Sequence, residues 1–133
     1  MPICTKRKLA FCHIPRTGGQ SIIVGLDLII NDYHYPASYY REKYPDYFLF
    51  ATYRPYKYRL KSAKKYYVTN QSNDIKLKNR KKLIIRKNDY FLDCRVDYLI
   101  QFIDLENDLN KMLKILNLSP IKLPHLYYCR PLG

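Results

Sequence analysis

Residues 9–23, Leu-Ala-Phe-Cys-His-Ile-Pro-Arg-Thr-Gly-Gly-Gln-Ser-Ile-Ile, constrain the fold more than any other stretch of this chain. Leu9–Cys12 is an apolar run suited to a short buried strand, and Ile22 and Ile23 begin a helical repeat. Between them lie Pro15, Arg16 and the pair Gly18-Gly19, two of the four glycines in 133 residues. Glycine concentrated in one turn marks a backbone shape or a close approach that side chains would obstruct. A strand passing through such a turn into a helix start aims several N–H groups, and the positive end of the helix dipole, at one point. That is the physics of an anion site, most often a phosphate. Thr17, Gln20 and Ser21 are expected to add side-chain donors, and Arg16 a fixed charge. No Gly-Lys-Ser/Thr stands at the spacing of the nucleoside-triphosphate P-loop, so the turn is of another kind.

A second cluster follows the next strand. Tyr47–Tyr53 is a continuous β-favouring run, suited to a parallel strand covered on both faces. It ends at Arg54-Pro55, and Pro55 can open a helix that runs to about Tyr67. Arg54 then sits at the strand's C-terminal end and Ser62 about two turns into the helix. A charged fork plus a hydroxyl is what a phosphate dianion requires.

The remaining segments fill in an alternating pattern. The first helix is predicted over about Ser21 to Ile30, with Ile22, Ile23, Leu26, Ile29 and Ile30 on one face, capped near residues 19–21 and ended by Asn31-Asp32. Tyr33–Pro36 is extended, Ala37–Tyr44 gives one or two helical turns, and Pro45-Asp46 is a turn. Residues 70–74 form a loop, and Ile75–Lys87 a basic amphipathic helix. That helix is either a solvated face or a landing surface or lid for an anionic ligand. Arg95–Phe102 is a third strand. Asp104 caps a helix with Leu105, Leu109, Met112, Leu113 and Leu116 on one face, stopping at Asn117–Pro120. Strand–helix alternation predicts an α/β fold: one domain over residues 1–133, a small three-layer α/β/α core with a mainly parallel sheet. Both clusters fall at C-terminal strand ends, the edge where such sheets bind ligands.

A net charge of +13 calls for polyanionic company, whether a nucleotide, an acidic glycan or nucleic acid, and 47% hydrophobic residues support a folded chain rather than a basic tail. Cysteines 4, 12, 94 and 129 make no metal-ligand spacing, and no metal site is expected. Free thiols in a reducing compartment are the simplest reading, a Cys94–Cys129 bridge the alternative. No apolar run has signal-peptide or membrane-spanning length, so a cytoplasmic location without a membrane span is expected. The richness in Lys, Ile, Asn and Tyr is that of A/T-rich codons, as in a virus or an AT-rich microbe.

Residues 13–21 resemble the 5′-phosphosulfate loop of the PAPS-dependent carbohydrate O-sulfotransferases of heparan, chondroitin and dermatan type. The usual form is His-Ile-Pro-Lys-Thr-Gly-Gly-Thr-Ser, identical at seven of nine positions, with Arg16 replacing Lys and Gln20 replacing Thr. Residues 54–62 are similar to that family's Arg-Asn-Pro-Tyr-Asp-Arg-Leu-Val-Ser. Arg54, Arg59, Leu60 and Ser62 match, while Pro55 and Tyr56 hold the Asn and Pro places. Val96-Asp97 onward and Leu123-Pro124-His125 resemble a third segment, with Ile103 where the family has Glu.

The resemblance implies a P-loop NTPase-like sulfotransferase architecture, with PAPS (3′-phosphoadenosine 5′-phosphosulfate) as cosubstrate and PAP as product. It implies that Pro15, Arg16, Thr17, Gly18, Gly19, Gln20 and Ser21 hold the 5′ end, and Arg54 and Ser62 the 3′-phosphate. The implied reaction is sulfuryl transfer to a hydroxyl of a carbohydrate acceptor, with Arg16 as the catalytic cation. The resemblance also implies His34 as the general base, since related heparan-type enzymes place a His at a like distance ahead of the second strand. His13 is expected to brace the loop by hydrogen bonding, and His125 has no assigned role. Eukaryotic members carry a Golgi membrane anchor, and none is read here. Two other readings stay open: a catalytically weakened relative that binds nucleotide or polyanion, favoured by Arg16 and Ile103, and a basic nucleic-acid-binding protein, favoured by charge and by tyrosines interleaved with lysines.

Overall fold

Three apolar runs pair as parallel strands, and a very short strand joins them from the N-terminal side. The computed structural model describes residues 2–29, 34–69 and 82–124. Within these, β1 (Ile3–Cys4), β2 (Leu9–Cys12), β3 (Phe48–Tyr53) and β4 (Tyr98–Gln101) form one sheet in that spatial order. β2, β3 and β4 run parallel and β1 pairs antiparallel with β2, so the protein is mixed α/β with a mostly parallel sheet.

Alternation along the strands builds two cores. Leu9, Phe11, Phe50 and Ile100 meet Ile22 and Ile23 of α1 (Gly19–Gly25), and Leu109, Met112 and Leu113 of α5 (Leu105–Ile115). Ala10, Cys12, Leu49 and Ala51 point the other way, onto Ala37 and Tyr40 of α2 (Ala37–Lys43) and Phe91 of α4 (Asn88–Phe91). Each fully buried Leu, Ile or Phe contributes about 1.5–3 kcal/mol of transfer free energy. α3 (Tyr56–Thr69) follows β3 directly, with Pro55 O accepting from Tyr58 N and Arg59 N as its first turn closes.

Three elements differ from expectation, each for a local reason. β1 is too short to register as a run. α1 stops at Gly25, not near Ile30: Asp27 takes a left-handed φ of 52°, Leu28 N donates to Ile23 O at 2.9 Å, and Asp27 N to Val24 O at 3.1 Å. This is a Schellman closure, with Leu28 and Ile23 as its apolar contact. Ile29 therefore lies off the helix and forms an isolated antiparallel bridge with Ile3. The same closure ends α5 where predicted, with Asn117 at φ 57° and Leu118 N on Leu113 O at 2.8 Å. β4 begins at Tyr98 rather than Arg95: Asp97 N still donates to Leu49 O at 2.7 Å, but Leu49 N is taken by the Asp97 carboxylate at 2.8 Å, which also accepts from Arg41 Nη2 at 2.8 Å, so the ladder goes no further toward Arg95. Asp104 stands at the N-cap of α5 without a side-chain cap bond, accepting instead from Asn107 Nδ2.

Residues 30–33, the expected loop at 70–74, residues 75–81 of the expected basic helix, and His125 to Cys129 lie outside the described residues. Residues 82–84 are helical, and 85–86 turn toward α4. Among the described residues no helix is long and apolar enough to cross a membrane, no cluster of three or more His, Cys, Asp or Glu could hold a metal ion, and Cys4, Cys12 and Cys94 are free thiols.

Candidate functional site

The turn between β2 and α1 is held from beneath. Thr17 is fully buried, its hydroxyl donating to Ile14 O at 2.5 Å and bonded to the Thr52 hydroxyl of β3. It anchors the loop instead of facing its mouth, which leaves Thr17 only its backbone N–H for an anion. Pro15, with no N–H to offer, is buried and accepts from Arg59. Gln20 is exposed and Ser21 buried. Arg16 (φ 62°) and Gly18 (φ 79°) are both left-handed, a conformation that turns successive N–H groups into one concavity. A non-glycine residue held at positive φ, as Arg16 is, clusters at functional sites.

The two glycines are needed for different reasons. Gly18 supplies the left-handed turn, whereas a Cβ on Gly19 would lie 2.1 Å from His13 Cδ2, so Gly19 leaves room for an imidazole. His13 braces the loop by packing in that space, its ring stacked on Phe11 at 5.4 Å. Burial, reinforced by His34 and Arg16, holds its pKa well below 6.5, so the ring is neutral. Between that folded value and 6.5 the unfolded chain binds a proton that the folded chain does not. The stability His13 contributes is therefore full above pH 6.5 and lost as pH falls toward the folded value. The slope is at most about 1.4 kcal/mol per pH unit. Urea unfolding between about pH 7.5 and 5.5 is expected to show a steeper loss for the wild type than for His13→Gln, and parallel slopes would refute it.

α1 has only seven residues and no side-chain cap bond, so its dipole is weaker than the sequence suggests, and guanidinium groups carry most of the charge. Arg16 Nε donates to Ser62 Oγ at 2.9 Å. Arg54 Nη1 donates to Arg16 O at 3.1 Å, and its guanidinium lies 4.1 Å from the Phe102 ring centroid. The structure thus brings Arg16, Arg54 and Ser62 together at the C-terminal ends of β2 and β3.

His34 joins the loop from the opposite flank. Its Nδ1 is 2.7 Å from His13 O, and its ring meets the His13 ring edge-on at 4.7 Å. A carbonyl oxygen can only accept, so Nδ1 carries a proton, and in the neutral ring the lone pair is then on Nε2. Ile103 is 93% exposed beside Phe102.

Two residues were not assigned a role from the sequence. Arg59 is 1% exposed and donates to Pro15 O (2.8 Å), Ile84 O (3.1 Å), Arg86 O (3.0 Å) and Asn88 Oδ1 (2.6 Å). Burial draws its pKa down to about 10, which still leaves it a cation at neutral pH. Asn88 Nδ2 donates to Arg54 O at 3.1 Å. Arg59 had a signal in its match to the second motif; Asn88 had none. Comparison of the chain with protein-family models, curated proteins and solved structures found no match.

Proposed function

We propose that this chain is a small PAPS-dependent O-sulfotransferase of P-loop NTPase-like architecture, moving a sulfuryl group from PAPS to a hydroxyl of a carbohydrate. The observation that carries this reading is the junction of two anion-seeking clusters, with Arg16 Nε 2.9 Å from Ser62 Oγ and Arg54 Nη1 3.1 Å from Arg16 O. A nucleoside phosphorylated at both its 3′ and 5′ positions needs two donor groups side by side. Guanidinium forks and a hydroxyl are the donors that suit it. The left-handed Arg16 and Gly18 supply a concavity of the kind that cradles phosphate.

PAPS supplies an activated sulfur–oxygen bond to its own 5′-phosphate. Arg16 and the N–H groups of Thr17 to Gln20 hold that phosphate, while Arg54 and Ser62 hold the 3′-phosphate. His34 Nε2 takes the proton of the acceptor hydroxyl as its oxygen forms the new bond to sulfur. The old S–O bond breaks in line, and the departing phosphate keeps the electron pair. Arg16 meets the growing charge without giving up a proton, which a guanidinium does not do at ordinary pH. Positioning and charge stabilisation supply most of the acceleration, as in phosphoryl transfer.

Two measurements test this reading. Isothermal titration is expected to show saturable binding of PAP, and labelled sulfate is expected to move from PAPS to a member of a glycan panel. No saturable PAP binding removes the assignment. Binding without transfer leaves a nucleotide-binding relative, and saturation by nucleic acid but not by PAP points to charge alone.

A further inference from the structure

Behind the donors that face the site, Asn88 is placed between the two arginines of the second motif. We propose that Asn88, with Arg59, is a positioning residue that holds the Arg54 end of the site in register with the Arg16 loop; this rests on the double-phosphate reading above. The Asn88 amide donates through Nδ2 to Arg54 O at 3.1 Å and accepts through Oδ1 from Arg59 Nη1 at 2.6 Å. Arg59 Nε then reaches Pro15 O, the carbonyl just before Arg16, at 2.8 Å. Arg54 Nη1 closes the ring onto Arg16 O at 3.1 Å.

The chemistry of each member suits this task. A side-chain amide donates at one end and accepts at the other, so it serves an arginine guanidinium and a carbonyl together without adding charge. Arg59, at 1% exposure, is closed off from the surface and reaches the loop through the backbone of Pro15 and the amide of Asn88. Its other donors grip Ile84 O and Arg86 O, and Tyr56 OH donates to Ile85 O at 2.6 Å. The segment that carries Asn88 is thereby tied down before it reaches α4. The ring fixes the separation of the two anion clusters, so its loss should appear in how the second phosphate is read.

The test compares affinities for adenosine 3′,5′-bisphosphate and for adenosine 5′-monophosphate by titration calorimetry, since their ratio reports the second phosphate. Asn88→Ala is expected to lower that ratio about tenfold, the scale of one charge-assisted contact, with monophosphate affinity within about twofold. Asn88→Asp keeps the acceptor for Arg59 but has no donor for Arg54 O, so it should melt cooperatively and still lose the ratio. A wild-type ratio in both variants overturns the positioning role alone. Loss of cooperative melting in both also overturns it, making Asn88 a determinant of the fold. No saturable binding of the bisphosphate by the wild-type chain overturns the reading of the site and this role with it.

Discussion

His34→Ala is expected to lower sulfuryl transfer by about 10²- to 10⁴-fold, the range for loss of a general base, with PAP affinity nearly intact. The anchoring bond from His34 Nδ1 to His13 O, at 2.7 Å, fixes the tautomer and orients Nε2. His34 is joined to the loop through the His13 carbonyl, two residues before Pro15. Its loss should therefore change rate and spare binding. His34→Asn separates the two duties, since an amide can still donate to His13 O but cannot act as a base. Single-turnover transfer of labelled sulfate should find both variants equally slow, and turnover retained in either would remove His34 from the chemistry.

Arg54→Ala is expected to weaken PAP binding about 10- to 100-fold, the range for hydrogen bonds to charged groups. Exposed Lys64→Ala should cost less than about twofold. Arg54 is set by its bond to Arg16 O, by the Phe102 ring and by Asn88 at its own carbonyl, so its fork is oriented before ligand arrives. Arg54→Lys keeps the charge and loses the fork, and should fall between the other two. Equal losses for Arg54 and Lys64 would mean that the +13 charge of the chain attracts anions without a built site.

How much of this could be read from the sequence depends on the range of the interaction. β2, β3, α2 and the stop of α5 at Asn117 follow from patterns written in neighbouring residues: apolar runs, a proline, an asparagine able to turn left-handed. The early end of α1 rests on Asp27 in the conformation that glycine more often takes, so the apolar spacing of Ile29 misleads. β1 becomes a strand only because Cys4 and Ile3 find Leu9 and Ala10, a pairing that two residues cannot announce. At the site, Arg16, Arg54 and Ser62 were legible as residue types that seek anions. The inward turn of the Thr17 hydroxyl was not, since it depends on Thr52, 35 residues away. Asn88 is invisible for the same reason, its two partners lying on another segment.

Arg16, Arg54 and Arg59 crowd three permanent cations into one small ring of neutral oxygens. Burial, and to a lesser degree Arg54, disfavour the charge on Arg59. A dianion bound as proposed would offset that repulsion and so link occupancy to folding. PAP is therefore expected to raise the melting temperature as its concentration rises.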